Sequence, residues 1–186
     1  RQMCIRDRVD TEYSPVYPLY KGEKPRQTTE KTIKSAITKG YETVKHTHIS
    51  DYQTLYNRVK FTLSGDTASE KLPTDIRVKQ LQQGFTDDAS LKVLWFNLSR
   101  YLLISASRPG TLPSNLQGVW NTFEKAPWNG NFQSNINLQE MYWGCGPTQL
   151  PECEEAYLEW IEGLVEPGRK TCLLYTSPSP RDRQKS

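Results

Sequence analysis

From Arg108 to about Ser134 the chain runs through turn-forming residues with neither a helical nor a strand period. A compact domain seldom carries more than about 12–15 residues of irregular chain unless that segment serves a site. The stretch Arg108 to Trp143 reads RPGTLPSNLQGVWNTFEKAPWNGNFQSNINLQEMYW. It gathers Asn115, Asn121, Asn129, Asn131, Asn135 and Asn137 with Gln117, Gln133 and Gln139, and threads Trp120, Trp128 and Trp143 among them. It holds no His, and its only acids are Glu124 and Glu140. Side-chain amides both donate and accept hydrogen bonds, and Trp adds a flat apolar face with one N–H. That inventory suits a neutral, polyhydroxylated ligand and suits a metal or a phosphate poorly. A second reading stands beside it with equal weight: Asn and Gly collect in loops because they tolerate left-handed backbone and build local turns.

Both ends need separate treatment. Met3 to Asp7 back-translates as ATG TGT ATA AGA GAC, and Cys172 to Ser177 as TGT CTC TTA TAC ACA TCT. The reverse complement of the second, AGATGTGTATAAGAGACA, contains the first. One DNA element read in opposite senses therefore accounts for both, and it resembles the mosaic end of a transposase-based sequencing adapter. Residues 1–8 and 172–186 are accordingly expected to be adapter-derived, and such segments are set aside from fold reasoning. Each carries a net +2, from Arg1, Arg6 and Arg8 against Asp7 and from Arg181, Arg183 and Lys185 against Asp182, so the formal +3 becomes −1 without them. A charge near zero gives no reason to invoke nucleic acid or an anionic membrane. Cys145 and Cys153 remain, too few for a disulfide framework. They either pair or stay as buried thiols. No apolar run is long enough to span a bilayer. Asn97-Leu98-Ser99 is a formal glycosylation sequon, but it falls inside an expected helix.

The rest reads as helices joined by loops. Residues 9–22 are aromatic and Pro-broken, like the last edge of a β-region and its linker. Thr28 or Thr29 is the expected cap of a helix carrying Ile33, Ala36, Ile37, Tyr41 and Val44. A second helix has Ile49, Tyr52, Leu55, Tyr56 and Val59 as its face, with His46 and His48 at the joint. Two His at i, i+2 share no helical face, so a polar contact is favoured over a metal site. Phe61 and Leu63 make a short strand at best. Thr74 caps a short helix ending at Gly84. Asp87 or Asp88 starts the strongest helix, with Leu91, Leu94, Trp95, Leu98, Leu102 and Ser105 on one face, and Phe96, Leu103 and Ile104 spread apolarity further round, so burial on more than one side is expected. A short helix begins near Asn137 or Leu138. A last one begins near Pro151, with Tyr157, Trp160, Ile161 and Leu164 as its face, and ends at Pro167-Gly168. This pattern argues for an α-helical array, and the lack of a fixed period argues against a solenoid.

At SRYLLISASRPGTLPSNLQGVWN followed by SNINLQEMYW the chain resembles the glycoside hydrolases of family ninety-five, typically α-1,2-L-fucosidases. The likeness is most specific from Trp95 to Trp143 and looser through HISDYQTLYNRV, LPTDIRV and the final helix to GRKT. It implies a mainly α fold: the end of an N-terminal β-domain at 9–24, a helical linker at 25–72, and the start of an (α/α)6 catalytic barrel at 73–171. It implies hydrolysis of a fucosylated oligosaccharide or glycan with inversion, without a cofactor or metal, and an extracellular or periplasmic setting. An inverting enzyme needs an acid for the leaving oxygen and a base for water. In this family two asparagines of an N-x-N motif hold the water, supported by a distant Asp, and a Glu is the acid. Asn135-Ile136-Asn137 matches the motif. A neutral amide orients water but is too weak a base to deprotonate it. Extended chain from Asn135 to Asn137 would put both amides on one side. The competing structural role for the pair is a double cap on the following helix.

The resemblance places the acid and the supporting Asp beyond Thr171, and none of Glu140, Glu152, Glu154 and Glu155 matches the acid position. The chain is therefore expected to be inactive by itself. Gln133 stands where some fucose-specific members have a sugar-contacting His, which brings L-galactose into consideration. Trp120 and Trp128 are candidates for stacking on sugar faces, with a place in the core an equal alternative for each. Met141 and Gly144-Cys145-Gly146 depart from the family's N-Y-W and P-A-E, which motivates a non-catalytic carbohydrate-binding homologue as the alternative. Arg108 is expected either to brace the loop or to meet a carboxylate, with bracing favoured, and Tyr142 and Trp143 are expected to be core.

Overall fold

Asp88 opens the longest helix. Its carboxylate accepts from Leu91 N–H at 2.9 Å, satisfying one of the donors every helix start leaves unpaired. In this computed structural model, which describes residues 10–65, 68–84, 87–119 and 121–175, the helices are α1 (Pro25–Lys39), α2 (Tyr41–Tyr56), α3 (Thr74–Gln82), α4 (Ala89–Ala106), α5 (Asn137–Tyr142), α6 (Pro151–Gly163) and α7 (Val165–Tyr175). Short 3-10 turns lie at Ala68–Lys71 and Pro127–Gly130. The fold is mainly α, as expected. Among the described residues the only β pairing is an isolated antiparallel bridge from Tyr13 to Lys21. Residues 1–8 and 176–186 of the suspected adapter ends lie outside the described residues.

The chain divides into two units, Arg1–Ile49 with Leu158–Ser186, and Ser50–Tyr157. In the first, α1 starts at Pro25 rather than at Thr28 or Thr29. Proline at the first helical position sacrifices no bond, because its missing N–H would have had no partner. Thr28 instead donates to Asp10 Oδ2 at 2.9 Å. Gly40, at φ 77°, is the joint between α1 and α2. His46 and His48 lie within α2, both exposed, so the joint is not theirs. Pro167-Gly168 does not end the helical chain. Pro167 sits in the first turn of α7, where proline is tolerated.

The second unit holds every buried apolar residue among those described: Leu55, Ala89, Leu91, Ile104, Leu138, Tyr142, Cys145, Leu150, Cys153 and Ala156. Gly65 lets its segment touch α4, since a Cβ there would stand 2.6 Å from Ala89 Cβ. Phe61 and Leu63 form no strand. Without a partner strand the segment stays irregular, and Phe61 packs on Phe96 at 4.7 Å between centroids. The buried face of α4 is Leu91, Arg100 and Ile104. Of the expected main stripe Leu91 is buried, and Ile104 from the wider apolar spread is buried with it, but Leu94, Trp95, Leu98 and Leu102 point outward, 39–47 % exposed. Arg100 turns inward because it caps α2. Its guanidinium donates to Leu55 O at 3.1 Å and Tyr56 O at 2.7 Å, and lies over the Tyr56 ring. A cation at a helix C-terminus meets both the unpaired carbonyls and the dipole.

Candidate functional site

The amide-rich stretch splits into two kinds of residue. Asn115 and Asn121 build turns: Asn115 Oδ1 accepts from Gln117 N–H at 3.2 Å, and the Asn121 amide bonds both N–H and C=O of Phe123. For these two the local-turn reading holds. Asn135 and Asn137 differ. Both are exposed, and neither side chain is engaged in a hydrogen bond among the described residues. They do not cap α5: the cap position is Ile136, which has no side-chain oxygen to offer. The backbone between them is not extended either. Residues 134–136 form a turn, Ile136 has φ −165° and ψ −37°, and Asn137 is the first residue of α5. The helix's demand for a start at Asn137 overrides the expected strand-like geometry.

The loop leading to this turn is held in uncommon backbone. Trp128, Asn129 and Gln133 have φ of 49°, 55° and 51°. Positive φ in a residue as bulky as Trp is a genuine outlier, and such conformations persist only where surrounding structure over-determines them. Here Asn129 N–H bonds Ala126 O at 3.0 Å, Asn131 N–H bonds Trp128 O at 3.1 Å, and Leu116 N–H reaches across to Asn131 O at 3.3 Å. Trp128 is 69 % exposed, so it is not core. Gln133 is half-buried, and its carbonyl accepts from Leu138 N–H at 3.3 Å. Trp120 lies outside the described residues.

A buried chain of hydrogen bonds anchors both the loop and α5. Ser107 Oγ donates to Cys153 O at 2.7 Å. Its one proton is thereby used, so the Tyr142 hydroxyl must donate to Ser107 Oγ, also at 2.7 Å. Tyr142 then accepts from Ser114 N–H at 2.9 Å. Tyr142 stacks on Tyr157, and burial pushes its phenol above the ordinary value. Tyr142 is core, as expected. Trp143 is not, at 65 % exposed, because it follows the last turn of a helix only six residues long. Arg108 meets a carboxylate, donating to Asp51 Oδ1 at 2.6 Å, and this contact ties the start of the loop to α2.

Of the acids considered for proton donation, Glu152 is committed to an ion pair. Glu152 grips Arg58 with both oxygens, at 2.7 and 2.8 Å, and that hydrogen bonding lowers its carboxyl to about 2. It is ionised at neutral pH. Among the described residues no group of three or more His, Cys, Asp or Glu could hold a metal. Cys145 and Cys153 are free, buried thiols, and burial pushes Cys145 up to about 12.

Residues 40–178 match the model of the glycosyl hydrolase family 95 catalytic domain. The chain belongs to this family. It is 40 % identical over 149 residues to "Alpha-L-fucosidase 2" of Arabidopsis thaliana, covering 79 % of this chain and 18 % of that protein. It is 38 % identical over 158 residues to "Probable alpha-fucosidase A" of Aspergillus niger, and 36 % over 161 residues to the protein of that name from Aspergillus oryzae. Each alignment covers 84 % of this chain, and 20 % and 22 % of the respective relative. The chain thus spans about a fifth of the length of these relatives. No helix among the described residues is long and apolar enough to cross a membrane. Around the candidate turn and the loop anchor, Gln139 and Ser107 are engaged polar residues whose roles sequence reasoning missed. Gln139 was visible only as one amide among nine, and nothing in the spacing marked Ser107 as the partner of Tyr142.

Proposed function

We propose that this chain is a segment of a family 95 glycoside hydrolase that removes terminal α-1,2-linked L-fucose from an oligosaccharide or glycan with inversion. Asn135 and Asn137 hold the attacking water, and Gln133, Trp120 and Trp128 contact the sugar. The observation that carries the reading is the pair of exposed, unengaged amides on a two-residue spacing, in a loop rich in strained backbone, within a chain akin to proteins named as fucosidases. An amide pair orients water but cannot draw off its proton. By the family resemblance the supporting Asp and the acid Glu lie beyond residue 171, and the segment by itself is read as inactive on that ground.

The test uses the full-length protein that carries this segment. Asn135→Ala and Asn137→Ala are each expected to abolish release of L-fucose from an α-1,2-fucosyl oligosaccharide while leaving the unfolding transition unchanged. Wild-type turnover in both variants would sink the assignment. Met141 and Gly144-Cys145-Gly146 favour a second reading, a carbohydrate-binding homologue without turnover. Free L-fucose released by the unaltered full-length protein excludes that reading. A preference for L-galactosides over L-fucosides would instead point to Gln133, since one hydroxyl can shift preference by a few kcal/mol.

A further inference from the structure

The turn carrying Asn135 and Asn137 lacks the usual means of holding a helix start. Its cap residue is Ile136, and no side chain caps the helix. Gln133, just before it, sits at φ 51°. What closes the turn from outside the backbone is Gln139, whose Nε2 donates to Ser134 O at 2.6 Å. A backbone carbonyl only accepts, so this contact decides which way the amide faces. The Gln139 Oε1 then points elsewhere, buried and without a partner. An unmet buried acceptor is a real penalty. Reversing the amide would set oxygen against oxygen at Ser134, so the orphaned oxygen is the lesser penalty.

We infer that Gln139 is a positioning residue: its side-chain NH2 clamps the Ser134 carbonyl and so sets the turn from which Asn135 and Asn137 present their amides. The inference rests on the proposed water-holding role of that pair. The clamp needs a donor, and this makes it separable from simple packing. Glutamate in the same place keeps the shape but donates only when protonated, that is, below a titration point that burial beside a carbonyl holds at or above the ordinary ~4.3.

Two measurements test it. In the full-length protein, amide exchange at Leu138, whose N–H bonds Gln133 O across the same turn, reads the clamp directly. In Gln139→Glu the protection factor at Leu138 is expected to fall at pH 7 and recover as the pH drops through the carboxyl's titration. Gln139→Met, similar in size and without a donor, should stay unprotected throughout. In the full-length protein, Gln139→Glu is expected to lose about tenfold to a hundredfold in kcat at pH 7 with little change in KM, as a misplaced reacting group does. Relative to wild type the deficit should shrink at acid pH, and the methionine variant should show no such recovery. Unchanged Leu138 protection in Gln139→Glu at pH 7 overturns the clamp. Lost protection with wild-type kcat at every pH overturns the positioning role. Normal turnover in Asn135→Ala and Asn137→Ala would instead refute the water-holding reading, and the exchange measurement would still decide the clamp.

Discussion

Arg77 and Asp88 show how much a single pair can decide. Both side chains are buried, with Nε–Oδ2 at 2.8 Å and the second nitrogen–oxygen contact at 2.9 Å. The Arg77 guanidinium, helped by Leu91 N–H and the Ser90 hydroxyl, holds the Asp88 carboxyl well below its ordinary value. Arg77→Met would leave a buried carboxylate unpaired, so a stability loss of about 3–5 kcal/mol is expected in urea unfolding. The folded pKa is depressed. The stabilisation is therefore complete above the unfolded value of ~3.9 and disappears as the pH falls toward the folded one. Glu152 follows the same sign, with a window from the unfolded ~4.3 down to its folded value of about 2. Its partner Arg58 is 31 % exposed and Glu152 itself 34 %, so solvent screens the pair and its loss should cost no more than about 1 kcal/mol. Stability followed from pH 6 to 2 should thus respond far more to Arg77→Met than to Arg58→Met. Equal effects would contradict the burial argument.

At the scale of elements, α5 matters because it joins the candidate site to the core. Leu138 and Tyr142 are its buried face, one turn apart, while Asn137 faces solvent. The Tyr142 hydroxyl ties Ser114 at the head of the loop to Ser107 at the end of α4 and, through Ser107, to Cys153 in α6. Tyr142→Phe removes the acceptor for Ser114 N–H and leaves that buried donor unmet. A loss of about 1–3 kcal/mol is expected, with faster exchange at the Ser114 amide. Unchanged Ser114 exchange would show that the loop is anchored by other means.

The whole chain leaves apolar surface uncovered. Leu94, Trp95, Leu98, Tyr101 and Leu102 run along α4, each at least 39 % exposed, and recur at helical spacing. Contiguous patches of this kind drive association. The isolated chain is expected to self-associate at micromolar concentration in sedimentation velocity, and Trp95→Ser with Leu98→Gln to reduce that association. A sharp, cooperative melt of a stable monomer would refute the expectation. In the relatives, which are about four times as long as this chain, ample polypeptide exists to cover such a stripe.

Local chemistry is legible in the order of residues. Asp88 as a cap, Gly84 after α3, the helix from Ala89 to Ala106 and the irregular loop behind it follow from short-range preferences that need no distant partner. The candidate pair Asn135 and Asn137 is legible through its spacing and its likeness to a family. Which face of α4 turns inward is not. Periodicity measures where apolar residues lie on a helix, not what lies opposite, and Arg100 took the buried side because the end of α2 supplied carbonyls for it. The same holds at the site. The sequence by itself determined that amides would crowd one loop. Only the tertiary structure decided that Asn115 and Asn121 use theirs for turns, that Gln139 uses its amide on Ser134, and that Asn135 and Asn137 leave theirs exposed and unengaged. An amide's role depends on which donor or acceptor the fold brings within about 3 Å of it.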